Sequence, residues 1–200
     1  GVAELIATNE ERLLANPTII EKLYLNKSTR MSTADRIIEL AVRNKIDLPG
    51  IPAFREAAAA IAKELVAEAT EERTFDDDQF DELHGLAATT QLAPDEDTHV
   101  VDETGKEEVT QKAKALNGIW AEMRPPAKIR LLQLGVDSYK RDNPDFEGTL
   151  DAAAVRMLGV RDPNPLVSVA AVKSPSITES EIQRIAGMRN VSEDVLRIIA

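Results

Sequence analysis

The sequence predicts an all-α protein built of short helices, and three observations carry that prediction. Ala, Leu, Ile and Val dominate the apolar 43% of the 200 residues, with only 9 glycines and 4% aromatics; this balance suits helices better than sheets. Apolar residues recur at helical spacing behind Ser, Thr, Asn and Asp start signals. No stretch alternates apolar and polar residues convincingly, so no strand is predicted.

In chain order, Leu5, Ile6, Leu13 and Leu14 share helical spacing and predict a helix over 4–14. Asn16-Pro17 starts the next, because Asn caps and Pro suits the first helical position; Ile19, Ile20, Leu23 and Tyr24 follow. Ser32-Thr33-Ala34-Asp35 opens a third in near capping-box form, with a stripe of Ile37, Ile38, Leu40, Ala41 and Val42. Pro49 and Pro52 bracket a turn before a longer helix over 53–69. Asp76-Asp77-Asp78 heads an acidic helix with Phe80 and Leu83 on its apolar stripe, and Asp76 near the cap. A helix over 107–123 carries Trp120, Pro125-Pro126 starts another that Gly135 stops, and a loop over 142–148 precedes a helix capped by Thr149. Asn164-Pro165, the capping box Thr178-Glu179-Ser180-Glu181, and Ser192 start the last three.

The net charge of −11 is not spread evenly. Residues 70–110 hold fourteen acids and two bases, a net of −12, while the remainder holds 21 acids and 22 bases. Thr89 to Gly105 is rich in Thr, Asp, Glu and Pro and reads as a mobile acidic loop, since it has too little apolar content to offset ordering entropy. The domain reading is therefore an N-terminal helical segment 1–69, an acidic helix and loop 70–110, and a C-terminal helical segment 111–200, forming one continuous domain.

Two blocks resemble each other. Asn16-Pro17 and then Met31 to Asn44 match Asn164-Pro165 and then Ile177 to Asn190, the second part without a gap and ending on Arg-Asn in both copies. A helix pair of this length cannot cover its own apolar face and must stack on neighbours. Lys128 to Leu131, Arg161-Asp162-Pro163-Asn164-Pro165, Ser174-Pro175 and Arg189 to Val195 resemble bacterial HEAT-like or leucine-rich-repeat-variant helical arrays, and the resemblance covers 16–69 and 125–200. It implies an α-solenoid of short antiparallel helix pairs, interrupted by the acidic insertion. It also implies either a fragment of a longer array or an end that packs elsewhere, because Val195, Ile198 and Ile199 leave the last helix without the polar outer face of a terminal repeat.

The chemistry searched for is missing. The chain has no cysteine, which excludes disulfides, thiolate metal sites and cysteine nucleophiles and suits a cytoplasmic setting. No Walker loop, G-x-G-x-x-G or G-x-S-x-G occurs. His84 and His99 lack the spacing of a zinc helix and read as solvated surface residues. The clusters Asp76–Asp78 and Asp95–Asp97 lack the EF-hand pattern and read as solvated acidic faces. No run reaches membrane-spanning length, and the first residues lack the form of a signal peptide. No catalytic residue, cofactor or metal ligand is nominated.

Arg130, Arg156, Arg161, Arg184, Arg189 and Arg197 recur along the C-terminal helices and form the candidate interaction surface, able to read carboxylates or phosphates. Their alternative role is structural, at helix ends and turns. Trp120, Met123 and Tyr139 read as core ahead of an exposed anchor. The function expected is a non-enzymatic protein-interaction scaffold, its acidic loop serving a basic partner. The alternative is a helical-repeat nucleic-acid binder or HEAT-like glycosylase, which the near-neutral body disfavours.

Overall fold

The computed structural model describes residues 1–64, 72–89, 99–101, 103–104, 107–109, 114–134 and 153–200. Twelve helices occur among them: α1 Val2–Ala7, α2 Glu10–Ala15, α3 Pro17–Tyr24, α4 Met31–Arg43, α5 Phe54–Ile61, α6 Phe75–Thr89, α7 Lys114–Glu122, α8 Pro125–Leu134, α9 Ala153–Val160, α10 Pro165–Val172, α11 Glu179–Ala186 and α12 Glu193–Ile199. The chain is all-α apart from one small antiparallel hairpin, β1 His99–Val101 on β2 Glu107–Val109, with Val100 opposite Glu108. The hairpin occupies the start of the helix predicted over 107–123, so that helix begins only at Lys114.

Several helix starts follow local chemistry. Thr178 accepts the Glu181 N–H while the Glu181 carboxylate accepts from Thr178 N, a complete capping box. Ser192 accepts from Val195 N, and Asn164 from Leu166 N with Pro165 in the first turn. Asn16 does not cap α3 with its side chain, although Pro17 takes the expected position; its Nδ2 donates back to Arg12 O at 3.4 Å. The predicted 4–14 helix is two helices, because Asn9 caps a fresh start by accepting from Arg12 N.

The start of α4 departs most from expectation. Ser32 and Thr33 lie inside the helix rather than ahead of it, and their hydroxyls are buried without a hydrogen-bond partner among the described residues. The caps come from elsewhere: Met31 N donates to Asp77 Oδ1 at 2.7 Å and Arg30 N to Glu4 Oε1 at 3.2 Å. Two carboxylates from α6 and α1 thus sit at the positive end of α4.

One core joins both ends of the sequence. α10 packs against α5, α8, α9 and α12, and α5 also packs on α4 and α8. α8 and α9 are enclosed nearly all round; every residue from Pro126 to Leu134 and from Ala153 to Val160 is buried. Polar members of α8 find partners inside: Gln133 accepts from Ala53 N at 3.1 Å and donates to Ala170 O at 3.2 Å, tying the start of α5 to α10. Lys173 of the α10 end reaches Glu56 of α5 at 2.8 Å. Gly159 permits a close crossing of α9 with α10 and α8, since a Cβ there would lie 2.9 Å from Ala171 Cβ and 3.1 Å from Leu132. No described helix is long and apolar enough to cross a membrane. The helix predicted over 53–69 ends early, at Ile61, with Ala62 as its C-cap; residues 65–69, the acidic stretch 90–98, Gly135, Tyr139, the 142–148 loop and the Thr149 cap lie outside the described residues.

Candidate functional site

Among the described residues, Thr29, Ser32, Thr33, Asp35, Asp77 and Arg130 are buried polar residues of α4, α6, α8 and the turn between α3 and α4, and Arg130 bonds that turn. It projects from α8 and is 0% exposed. Its Nε donates to Tyr24 O at 2.9 Å and its Nη2 to Asn26 O at 2.6 Å and Thr29 O at 2.8 Å, while Nη1 lies 3.0 Å from Met31 Sδ. The rings of Phe80 and Tyr24 flank it, 4.8 and 5.9 Å from the guanidinium carbon. Burial pulls the guanidinium below the usual arginine value, and Tyr24, Asp35, Asp77 and Asp81 partly offset this. Among the described residues no carboxylate lies within ion-pair distance of it; its donors go to the turn between α3 and α4 and fix the shape of that turn.

A second guanidinium, Arg124, precedes α8 and gathers three carboxylates. Nη1 meets Glu64 at 2.6 Å, Nε meets Asp76 at 2.6 Å and Nη2 meets Asp35 at 3.2 Å. It therefore joins α4, the turn after α5 and the first turn of α6. Burial lowers its pKa, but Asp35 and Asp76 outweigh that and hold it above the usual value. Asp35 is pushed up to about 6 because burial outweighs the attraction of Arg124 and Arg130.

The six arginines of the expected interaction surface do not share one face. Arg130 and Arg156, 0% and 3% exposed, are inside the protein, which corrects their placement on a surface. Arg156 makes a buried two-point pair with Glu181, Nε to Oε1 at 2.8 Å and Nη2 to Oε2 at 3.1 Å. Arg161 and Arg184 are half-buried, whereas Arg189 and Arg197 are exposed; Arg197 pairs with Glu193 one turn back at 2.7 Å.

Other expectations change as well. His84 is buried and stacks on Phe80 at 6.4 Å, instead of facing solvent. The run Asp76-Asp77-Asp78 is not a solvated face: Asp76 takes Arg124, buried Asp77 caps α4, and only Asp78, bonded by Arg73, is on the outside. Trp120 and Met123 are both core. The Trp120 Nε1 donates to Asp162 at 2.8 Å, and Lys128 reaches the same carboxylate at 2.9 Å while lying over the indole.

Among the described residues, three openings adjoin this framework. A groove of about 430 Å³ between α4 and α5 has a mainly apolar lining of Ile38, Val42, Ala58, Ile61 and Ala62, with Glu39 and Glu64 beside it. A groove of about 270 Å³ runs along α1 and α3 past Ile6, Ile19 and Leu23. A polar cavity of about 180 Å³ lies between the α3–α4 turn and α6, lined by Lys27 to Arg30 and by Arg73, Asp77, Phe80 and Asp81. None of these lining residues was nominated from sequence, since each lacks a motif; the one available signal was the basic Lys27-Ser28-Thr29-Arg30 turn ahead of α4. Among the described residues no group of three His, Asp or Glu side chains is arranged to hold a metal.

No protein family, curated protein or solved structure matches this chain.

Proposed function

We propose that this chain is a non-enzymatic interaction scaffold, a HEAT-like array of short helices that docks a helix of a protein partner. The observation that carries the reading is the groove between α4 and α5. Its floor holds the buried Ile38 and Ile61, and Val42 stands 46% exposed along it, an apolar strip open to solvent. Glu39 is exposed at its edge, and Glu64 spends one oxygen on Arg124. An apolar helix with Lys or Arg beside its anchors complements such a groove in shape and charge. The acidic 70–110 segment, net −12, adds long-range attraction for the same kind of partner.

Support for the array comes from the internal similarity. Asp35 and Glu181 occupy corresponding places in the two similar blocks, and each is buried and paired with an arginine from another helix, Arg124 or Arg156. Nucleic-acid binding is the weaker reading. Two of the six C-terminal arginines are spent inside the protein, and a duplex wants a continuous basic stripe.

Binding of a labelled amphipathic Leu–Lys helical peptide, followed by fluorescence anisotropy, tests the proposal. The peptide is expected to bind and to release as salt is raised. Val42→Glu and Glu39→Lys are expected to weaken it by roughly tenfold, about 1.4 kcal/mol, without loss of helicity. Equal binding of a Leu–Glu peptide, or unchanged binding by both variants, overturns it.

A further inference from the structure

We propose that docking in the α4–α5 groove is linked to the charge of Asp35: the groove takes a cationic helix tightly when this buried carboxylate is ionised and weakly when it carries a proton. The inference rests on the docking role proposed above and adds the regulation of that same groove.

Position is the first argument. Glu64 lines the groove and also holds Arg124 at 2.6 Å, and the same guanidinium holds Asp35 at 3.2 Å. One guanidinium therefore separates the groove wall from Asp35. Helix α4 makes a second link. Ile38, Glu39 and Val42 of the groove follow Asp35 on α4 at the spacing of one helix face. Asp35 is thus the next turn of the stripe that lines the groove.

Charge is the second. Arg124 gives each of its nitrogens to a carboxylate, Nε to Asp76, Nη1 to Glu64 and Nη2 to Asp35. Three acids on one guanidinium leave the cluster negative when all are ionised. The other groups around Asp35 change this little. Arg130 of α8 attracts it, and Tyr24 of α3 is neutral, since burial pushes its hydroxyl up. Glu4 of α1 and Asp77 of α6 are held at the backbone start of α4. Arg36, next along α4, reaches Glu10 of α2, and Lys63, beside Glu64, is exposed.

Burial decides which acid of the cluster takes a proton. The Asp35 side chain is 7% exposed, against 26% for Glu64 and 27% for Asp76. Desolvation disfavours the charged form most where water is most excluded, and burial accordingly pushes Asp35 up to about 6. A Lys or Arg arriving beside Glu39 and Glu64 favours ionised Asp35, because a nearby opposite charge stabilises a carboxylate. Linkage makes the effect mutual, so ionised Asp35 favours the cation by the same factor. With Asp35 ionised, Arg124 keeps Asp35 and Asp76 while Glu64 turns to the partner. With Asp35 protonated, Glu64 is one of two anions left to Arg124, and drawing it away costs more. Docking therefore releases a proton near pH 6, and affinity rises as pH rises through that value.

Titration of the labelled Leu–Lys helical peptide into the full chain from pH 5.0 to 7.5, at constant ionic strength, tests this; lysine keeps its charge throughout. Anisotropy is expected to show binding about fivefold tighter at pH 7.5 than at pH 5.0, the lower end of typical coupling between two sites. Calorimetry at pH 6 in buffers of different protonation enthalpy is expected to show proton release on binding, a readout that needs no variant. Asp35→Asn is expected to bind with a flat pH profile, near the wild-type affinity at pH 5.0. Absence of Leu–Lys binding at every pH overturns the docking role and the linkage with it. Wild-type binding that is equally tight across the range, or that releases no proton, overturns the linkage alone. So does a profile that survives in Asp35→Asn, which assigns it to His84 or another titrating group.

Discussion

Single residues in this protein owe their roles to where burial puts them. Arg130, Arg156 and Arg124 look alike in sequence, yet one braces a turn through three carbonyls, one locks a capping box to α9, and one collects three carboxylates. Asp35 has the clearest consequence for pH. Its native pKa, pushed up to about 6, lies above the unfolded value near 3.9, so the folded state binds the proton more tightly. Stability from this group is therefore fully present below about pH 4 and is lost as pH rises through about 6. The difference of about two units corresponds to an effect of about 1–3 kcal/mol. Urea unfolding of wild type and Asp35→Asn between pH 3.5 and 7.5 measures it. The two should be nearly equally stable at the acid end, with the variant gaining relative stability toward pH 7.5. A relative loss there would mean that attraction to Arg124 outweighs desolvation.

At the scale of the helix, local signals worked where the cap is local. Thr178, Ser192 and Asn164 were legible because donor and acceptor lie within three residues. The start of α4 was not, because its acceptors, Glu4 and Asp77, are 26 and 46 residues away. Without them, Ser32 and Thr33 looked like the natural caps. Glycines divide in the same way. Gly118 in α7 has nothing near a prospective Cβ, whereas Gly159 in α9 meets Ala171 and Leu132. Gly118→Ala should therefore gain about 0.5–1 kcal/mol from helix propensity. Gly159→Ala should lose about 1–2 kcal/mol, because overpacking of the α9–α10 crossing exceeds the same gain. Denaturant midpoints at constant m-value distinguish them; destabilisation by Gly118→Ala or stabilisation by Gly159→Ala would contradict the packing described.

For the molecule as a whole, the sequence-distant contacts of α10 with α5 and α8 tie the two ends into one core. The 70–110 segment carries the net negative charge, −12. Deleting 89–105 is accordingly expected to leave helicity and the thermal midpoint nearly unchanged, because the stretch is rich in Thr, Asp, Glu and Pro and poor in apolar residues. The same deletion should slow capture of a basic peptide, most at low salt. Stopped-flow association and circular dichroism measure the two effects; a large fall in midpoint would show that the segment supports the core.

Sequence by itself determined the helical class, most helix positions, three caps and the placement of negative charge. These depend on periodicity and neighbours within one turn, which a linear string records. Only the tertiary structure decided that Arg130 and Arg156 lie inside, that Asp77 caps α4, and that Lys27, Thr29 and Arg73 share a cavity. Each of these depends on residues brought together from separate helices, where desolvation makes an ionic or hydrogen-bonded partner obligatory. Composition and spacing do not encode which partner that is.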